Sequence, residues 1–257
     1  MQVSVLLPWR KFYRKGTDFE MKIFDLDSPL MNFLGKMADL MWLNILTMLC
    51  CIPFVTAGAS LTAMHYMALK IVRNEECYIT KGFFKSFKEN FKQATLIWFI
   101  MVLVLGLLIG DYYIILKAEI QLHNIFKIVI LMVTVFVVFT SLYVFPTLAK
   151  FENTIRRTIM NSFVMSILQF PKTILMIVLY AVPIVLLLVS YQAFPFVFLF
   201  GMSAPALASA FLYNKFFKKL EDQLMEGIAP VEKNPEEEDE RIFKDELDES
   251  ITVDTIQ

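Results

Sequence analysis

Four lysines at helical spacing are the most chemically suggestive residues in the chain: Lys81, Lys85, Lys88 and Lys92. At ~100° per residue they fall within one narrow arc of a helix. Phe83, Phe84, Phe87 and Phe91 form a second arc, a quarter to a third of a turn away, and Asn90 sits among them. Ammonium groups on one side and rings on another are the pattern of a helix lying in a membrane interface. Its rings enter the acyl boundary, and its lysines meet anionic headgroups at ~1 kcal/mol each near a negative surface. The chemistry open to such a set is recognition of a lipid headgroup or a partner, rather than bond making.

The remaining reactive side chains are scattered. Asp39 follows Lys36 by three residues, which predicts an interfacial ion pair, with a buried polar site as the alternative. Asn44 is a second interruption of the same apolar surface. His65 and Arg73 lie on the next helix, and His65 reads as a hydrogen-bonded or interfacial residue, because the other histidine, His123, falls in a different loop. Glu152 is placed to pair with Arg156 at i,i+4, beside Asn153. Cys50, Cys51 and Cys77 show neither a disulfide framework nor a metal spacing. No HExxH or GxSxG occurs, and no pair of acids falls at mid-membrane depth, so no catalytic residue, metal ligand or cofactor is expected.

The elements that position these residues are apolar helices. Apolar residues make up 57% of the chain, above the ~45–50% usual for soluble domains, and the mean hydropathy is +0.59. Several apolar runs exceed the ~18 residues needed to span a bilayer, so the fold class is an all-α integral membrane bundle. A net charge of −1 argues against a nucleic-acid partner. Ser28-Pro29 opens a helix that Pro53 ends. Thr56, Gly58 and Ser60 lie in a run of small residues, in which Gly58 permits a tight turn or a close helix contact. Leu61–Arg73 follows as a short, moderately apolar helix.

The next spans run from about Ala94 to Ile109 and from Ile125 to Phe145, the latter closed by Pro146. Residues 147–170 read as a second amphipathic interval, with Leu148, Phe151, Ile155 and Ile159 on one face and Lys150, Asn153 and Arg157 on another. Thr173–Ser190 is a span in which Pro183 predicts a kink, and Phe194–Tyr213 returns across the membrane. Gly201, Ser203, Ala204, Ala206 and Ser209 in that last span favour close helix packing within the chain, or alternatively a homo-oligomer contact.

Three regions follow: an N-terminal extension 1–27, a transmembrane domain 28–220 and an acidic tail 221–257. Met21 could itself serve as a start, and the run Glu236–Glu240 predicts disorder for the tail. Loops at 73–93, 150–172 and after 213 are rich in Lys and Arg, while those at 111–124 and 191–193 are poor, which places the first set and the C-terminus in the cytoplasm. Five spans are expected, with cytoplasmic amphipathic helices, or six if 54–73 crosses; its ~13 to 15 apolar residues are nearer an interfacial length.

The stretches ADLMWLNILTMLCCIPFVTAGASLTAMHYMALKIVRNEECYI and KGFFKSFKENFKQATLIW, and more weakly FPTLAKFENTIRRTIMNS, resemble the YesL-like family of Gram-positive bacterial membrane proteins, a domain family of unknown function. The resemblance covers roughly residues 21–220. It implies a multi-pass bacterial plasma-membrane protein, often associated with carbohydrate uptake and utilisation, with no known chemistry. The expected function is therefore a non-enzymatic accessory or regulatory membrane protein, with membrane lipids and a sugar-transporter subunit or another membrane protein as partners. A small-solute transporter or channel is the alternative, although the later spans offer few polar groups beyond Thr134, Thr140 and Tyr180.

Overall fold

The computed structural model describes residues 29–75, 78–117 and 124–228. The N-terminal extension, Cys77, His123 and the acidic run of the tail lie outside the described residues. The described residues divide into two compact units, one ending at Tyr213 and the other beginning at Asn214. In the first, α1 (Pro29–Cys51) and α2 (Ala57–Val72) are joined by a single 3-10 turn at Phe54–Thr56. Then come α3 (Ile79–Lys117), α4 (Asn124–Lys150), α5 (Ile155–Leu168), α6 (Phe170–Val189) and α7 (Phe194–Phe200). The last helix, α8 (Ser203–Ile228), begins in the first unit, and the compositional boundary expected at 220 falls inside it.

The fold is an all-α polytopic bundle, without strands among the described residues. Among the described residues, four helices are long and apolar enough to cross a membrane: Leu30–Cys51, Ile79–Ile115, Ile125–Lys150 and Phe170–Val189. A fifth is added if the bent pair Tyr191–Phe200 and Ser203–Met225 forms one span. With 16 residues, α2 is not among them. It is instead the most enclosed helix, with Ala59, Ala63, Met67 and Ala68 wholly buried.

Local chemistry accounts for the turns. Pro53 stops α1, and the hydroxyl of Thr56 closes the reversal by donating to the carbonyl of Cys50 at 2.6 Å or of Pro53 at 2.8 Å. Ser60 ties the hairpin by donating to the carbonyl of Thr47 at 2.9 Å. At the far end of α2, Asn74 adopts φ 53, the left-handed conformation that Asn tolerates at a helix terminus. Gly58 has no positive φ; it is required by closeness, since a Cβ there would lie 2.5 Å from the carbonyl oxygen of Ala94 and 2.6 Å from Cβ of Trp98.

Several sequence expectations are corrected. The Lys/Phe segment is the first half of α3, continuous with the apolar half, but its rings do not all face outward. Phe83 is wholly buried in protein, whereas Phe84 is 39% exposed. Pro146 does not close the third apolar helix, which continues to Lys150. A proline inside a helix forfeits the bond to the carbonyl four residues earlier, a loss that neighbouring helices make tolerable in membrane bundles. Residues 151–154 are non-helical, so 147–170 is not one helix, and the expected Glu152–Arg156 pair does not form. Asp39 is exposed and makes no pair with Lys36, whose Nζ donates instead to Oδ1 of Asn74 at 2.6 Å. Finally, Phe194–Tyr213 is broken rather than continuous, bent by 56° between α7 and α8.

Candidate functional site

Three groups of polar residues stand out from this apolar framework. The first is a cleft of about 1250 Å³ between the charged half of α3 and the end of α4 with its following loop. Lys85, Lys88, Lys92, Phe87 and Asn90 come from α3, and Glu152 and Asn153 from the loop. Helical spacing gathers the three lysines on one side of α3 and sets Phe87 and Asn90 on the adjoining, half-buried side, and the chain leaves the helix after Lys150 to bring in the second set. Tyr66 of α2, Glu89 and Lys150 complete the walls, so four lysines face two glutamates. Lys85 and Glu89 are 4.0 Å apart but solvated, so the pair contributes little. Phe83 stacks on Phe87, whose ring meets that of Phe91 at a tilt, with ring centroids 6.2 and 5.6 Å apart. Phe87 and Phe91 pack the cleft's α3 wall against the core cluster of Ala59, Ala94 and Leu148.

The second group is the break between α7 and α8. Asn44, fully buried on α1, donates from Nδ2 to the carbonyl of Phe198 at 2.7 Å. Its Oδ1 accepts from the backbone N–H groups of Met202 and Ser203 at 3.0 and 2.9 Å. Carbonyls at a helix end and N–H groups at a helix start have no partner within the helix. One side chain on a third helix thus caps both sides of the break. Pro205 explains the position of the break, because it has no N–H to continue α7 and is tolerated in the first turn of α8.

The third group surrounds His65, which is 5% exposed. The hydroxyl of Tyr180 on α6 lies 3.3 Å from Nε2, and that of Tyr213 on α8 lies 3.4 Å from Nδ1. The hydrogens can be ordered by following the chain from its far end. Ser209 donates to the carbonyl of Ala206 at 2.8 Å, so toward Tyr180, 3.4 Å away, it is an acceptor. Tyr180 spends its hydrogen there and accepts from Nε2–H of His65, leaving Nδ1 to accept from Tyr213. A neutral imidazole satisfies both ring nitrogens in this arrangement. Burial accordingly pushes the His65 pKa from 6.5 down to about 3.

The structure therefore assembles part of the expected set and disperses the rest. Lys81 is exposed outside the cleft, Arg73 ends α2, and Pro53, Thr56, Gly58 and Ser60 shape the α1–α2 reversal. Pro146 lies buried one turn before the cleft's α4 wall. Sequence reasoning missed Tyr66, Tyr213 as a partner of His65, and Ser209 as a partner of Tyr180. The only sequence signal for the tyrosines is that each is a phenol within an apolar run, a setting in which a buried hydroxyl needs a partner.

A family described as "Protein of unknown function, DUF624" matches residues 40–112. That stretch holds α2, the Gly58 contact and the α3 wall of the cleft. No curated protein and no solved structure is similar enough to match.

Proposed function

We propose that the chain is a non-enzymatic accessory or regulatory membrane protein that engages a partner through the cleft between α3 and the 148–154 segment. The observation that carries this reading is the wall composition: lysines, amides and two carboxylates, with the α3 side backed by packed phenylalanines, next to apolar helices. Such a surface offers multiple hydrogen bonds and an excess of positive charge to an acidic or hydroxyl-rich segment. The resemblance to the YesL-like family is what suggests a link to carbohydrate uptake, and with it a bacterial plasma membrane and a transporter subunit as the partner. The cleft takes most of its lining from the two Lys/Arg-rich intervals 73–93 and 150–172, which supports one cytoplasmic side for both, and for the C-terminus by the charge rule. A reporter active only outside the membrane, fused at residue 225, should give no signal.

The test is purification from native membranes of the wild-type chain and a Lys85→Glu/Lys88→Glu/Lys92→Glu variant. A transporter subunit that accompanies the first and not the second supports the reading. Solute flux through liposomes containing only this chain supports a transporter or channel instead. The broken α7–α8 helix favours that second reading, because discontinuous helices line many transport sites.

A further inference from the structure

A second cavity, distinct from the cleft, opens between α3, α4 and α5 with a volume of about 1040 Å³, at the upper end of the ~300–1,000 Å³ common for ligand pockets. Its walls are apolar along the spanning helices, with Met101 and Val104 from α3, Val133 and Val137 from α4, and Met160 and Phe163 from α5. Arg156 and Arg157 join this lining at the start of α5. Among the described residues neither guanidinium makes an ion pair or hydrogen bond, and Glu152, the acid expected to neutralise Arg156, does not reach it. Both arginines occupy the first turn of α5, whose N-cap residue Thr154 makes no side-chain cap. Unpaired N–H groups and the positive end of the helix dipole therefore lie beside the two charges.

Neither half of this arrangement is complete alone. The apolar walls, lying on membrane-spanning helices, suit an acyl chain, and the uncapped, doubly cationic rim suits a phosphate diester. Besides Arg156 and Arg157, the groove is lined by Ile100 to Val104 of α3 and Val133 to Thr140 of α4, on two helices long and apolar enough to cross a membrane. We propose that this groove holds one anionic phospholipid, with its headgroup phosphate on Arg156, Arg157 and the α5 N-terminus and one acyl chain between α3 and α4. The inference is independent of the cleft and of the partner proposed for it.

The test is native mass spectrometry of the full chain released from nanodiscs containing equal amounts of phosphatidylglycerol and phosphatidylcholine. The wild-type chain should retain one phosphatidylglycerol in preference to phosphatidylcholine. Arg156→Gln/Arg157→Gln should lose that preference by roughly tenfold to thirtyfold, the effect of removing two cations beside an anionic headgroup. Met160→Trp, at a position 62% exposed and so tolerant of bulk, should block retention by filling the groove. Excess inorganic phosphate should not displace the lipid, because the acyl chain anchors it. Unchanged melting of both variants in detergent shows that they fold. Equal retention of the two lipids, retention unaffected by either variant, or displacement by phosphate alone would overturn the proposal.

Discussion

Adding one methyl group at Gly58 separates close packing from backbone freedom as the reason for glycine there. A Cβ would meet the Ala94 carbonyl oxygen at 2.5 Å and Trp98 Cβ at 2.6 Å. Neither atom can rotate away, since one belongs to the backbone of α3 and the other is fixed to it. Reaching ordinary contact requires α2 and α3 to separate by most of an ångström along their tightest approach, and overpacking of this kind costs ~1–3 kcal/mol. Replacing a helical glycine by alanine returns up to ~0.5–1 kcal/mol. The net expectation for Gly58→Ala is a loss of about 1 kcal/mol, or ~2–4 °C in melting temperature for a domain of this size. Gly110, also helical, has nothing within 4 Å of its Cβ position, so Gly110→Ala should be neutral or slightly stabilising. Melting of both variants in one detergent gives the sign directly. If Gly58→Ala is as stable as Gly110→Ala, the α2–α3 contact is soft and the packing argument fails.

Two other perturbations follow from the buried clusters. Asn44→Leu keeps the branching at Cγ, with a bulkier end, but leaves the Phe198 carbonyl and the Met202 and Ser203 N–H groups unpaired. An unsatisfied buried group costs ~1–3 kcal/mol, so a melting loss of several degrees is expected, and a loss under about 2 °C would show that the break is held by other contacts. For His65 the folded pKa is about 3 against 6.5 ordinarily, so the unfolded chain binds more protons below pH 6.5. The stability from its neutral form is complete above that pH and declines toward pH 3, by about 2 kcal/mol at pH 5. Denaturation curves of wild type and His65→Gln should therefore converge as the pH falls from 7 to 5, whereas parallel curves would place His65 in contact with water.

Periodicity revealed what depends on local sequence. The lysine arc, the Pro53 stop and the small-residue run around Gly58 were all legible, because each is a matter of spacing or of one residue's stereochemistry. What escaped depended on partners distant in sequence. The rings of Phe83 and Phe87 were assigned to lipid, since an amphipathic face reads the same whether its neighbour is an acyl chain or α2. Pro146 was read as a stop because the cost of a missing N–H is local, while its compensation is tertiary. Asn44 was recognised as an interruption of an apolar surface, but its role depends on a break more than 150 residues away, which Gly201 and Pro205 together hint at without fixing.

The cleft and the lipid groove share their supports, and this has a measurable consequence. The α3 wall of the cleft ends at Gln93 and that of the groove begins at Ile100, about two turns along the same unbroken helix. On the other side Thr154 ends the cleft and Ile155 opens the groove. The amides of Glu152 and Asn153 make no backbone bond, and those that follow are first-turn groups with no acceptor inside α5. A phosphate on Arg156 and Arg157 would fix this connection, and with it the cleft wall that carries Glu152 and Asn153. Hydrogen exchange at residues 152–157 should therefore slow in phosphatidylglycerol nanodiscs relative to phosphatidylcholine, and Arg156→Gln/Arg157→Gln should abolish the difference. Any ligand that orders the same loop from the cleft side must, by linkage, tighten lipid binding by the factor with which lipid tightens its own. Identical exchange in the two lipids, with phosphatidylglycerol demonstrably retained, would show that the connection stays mobile and that the two sites act separately.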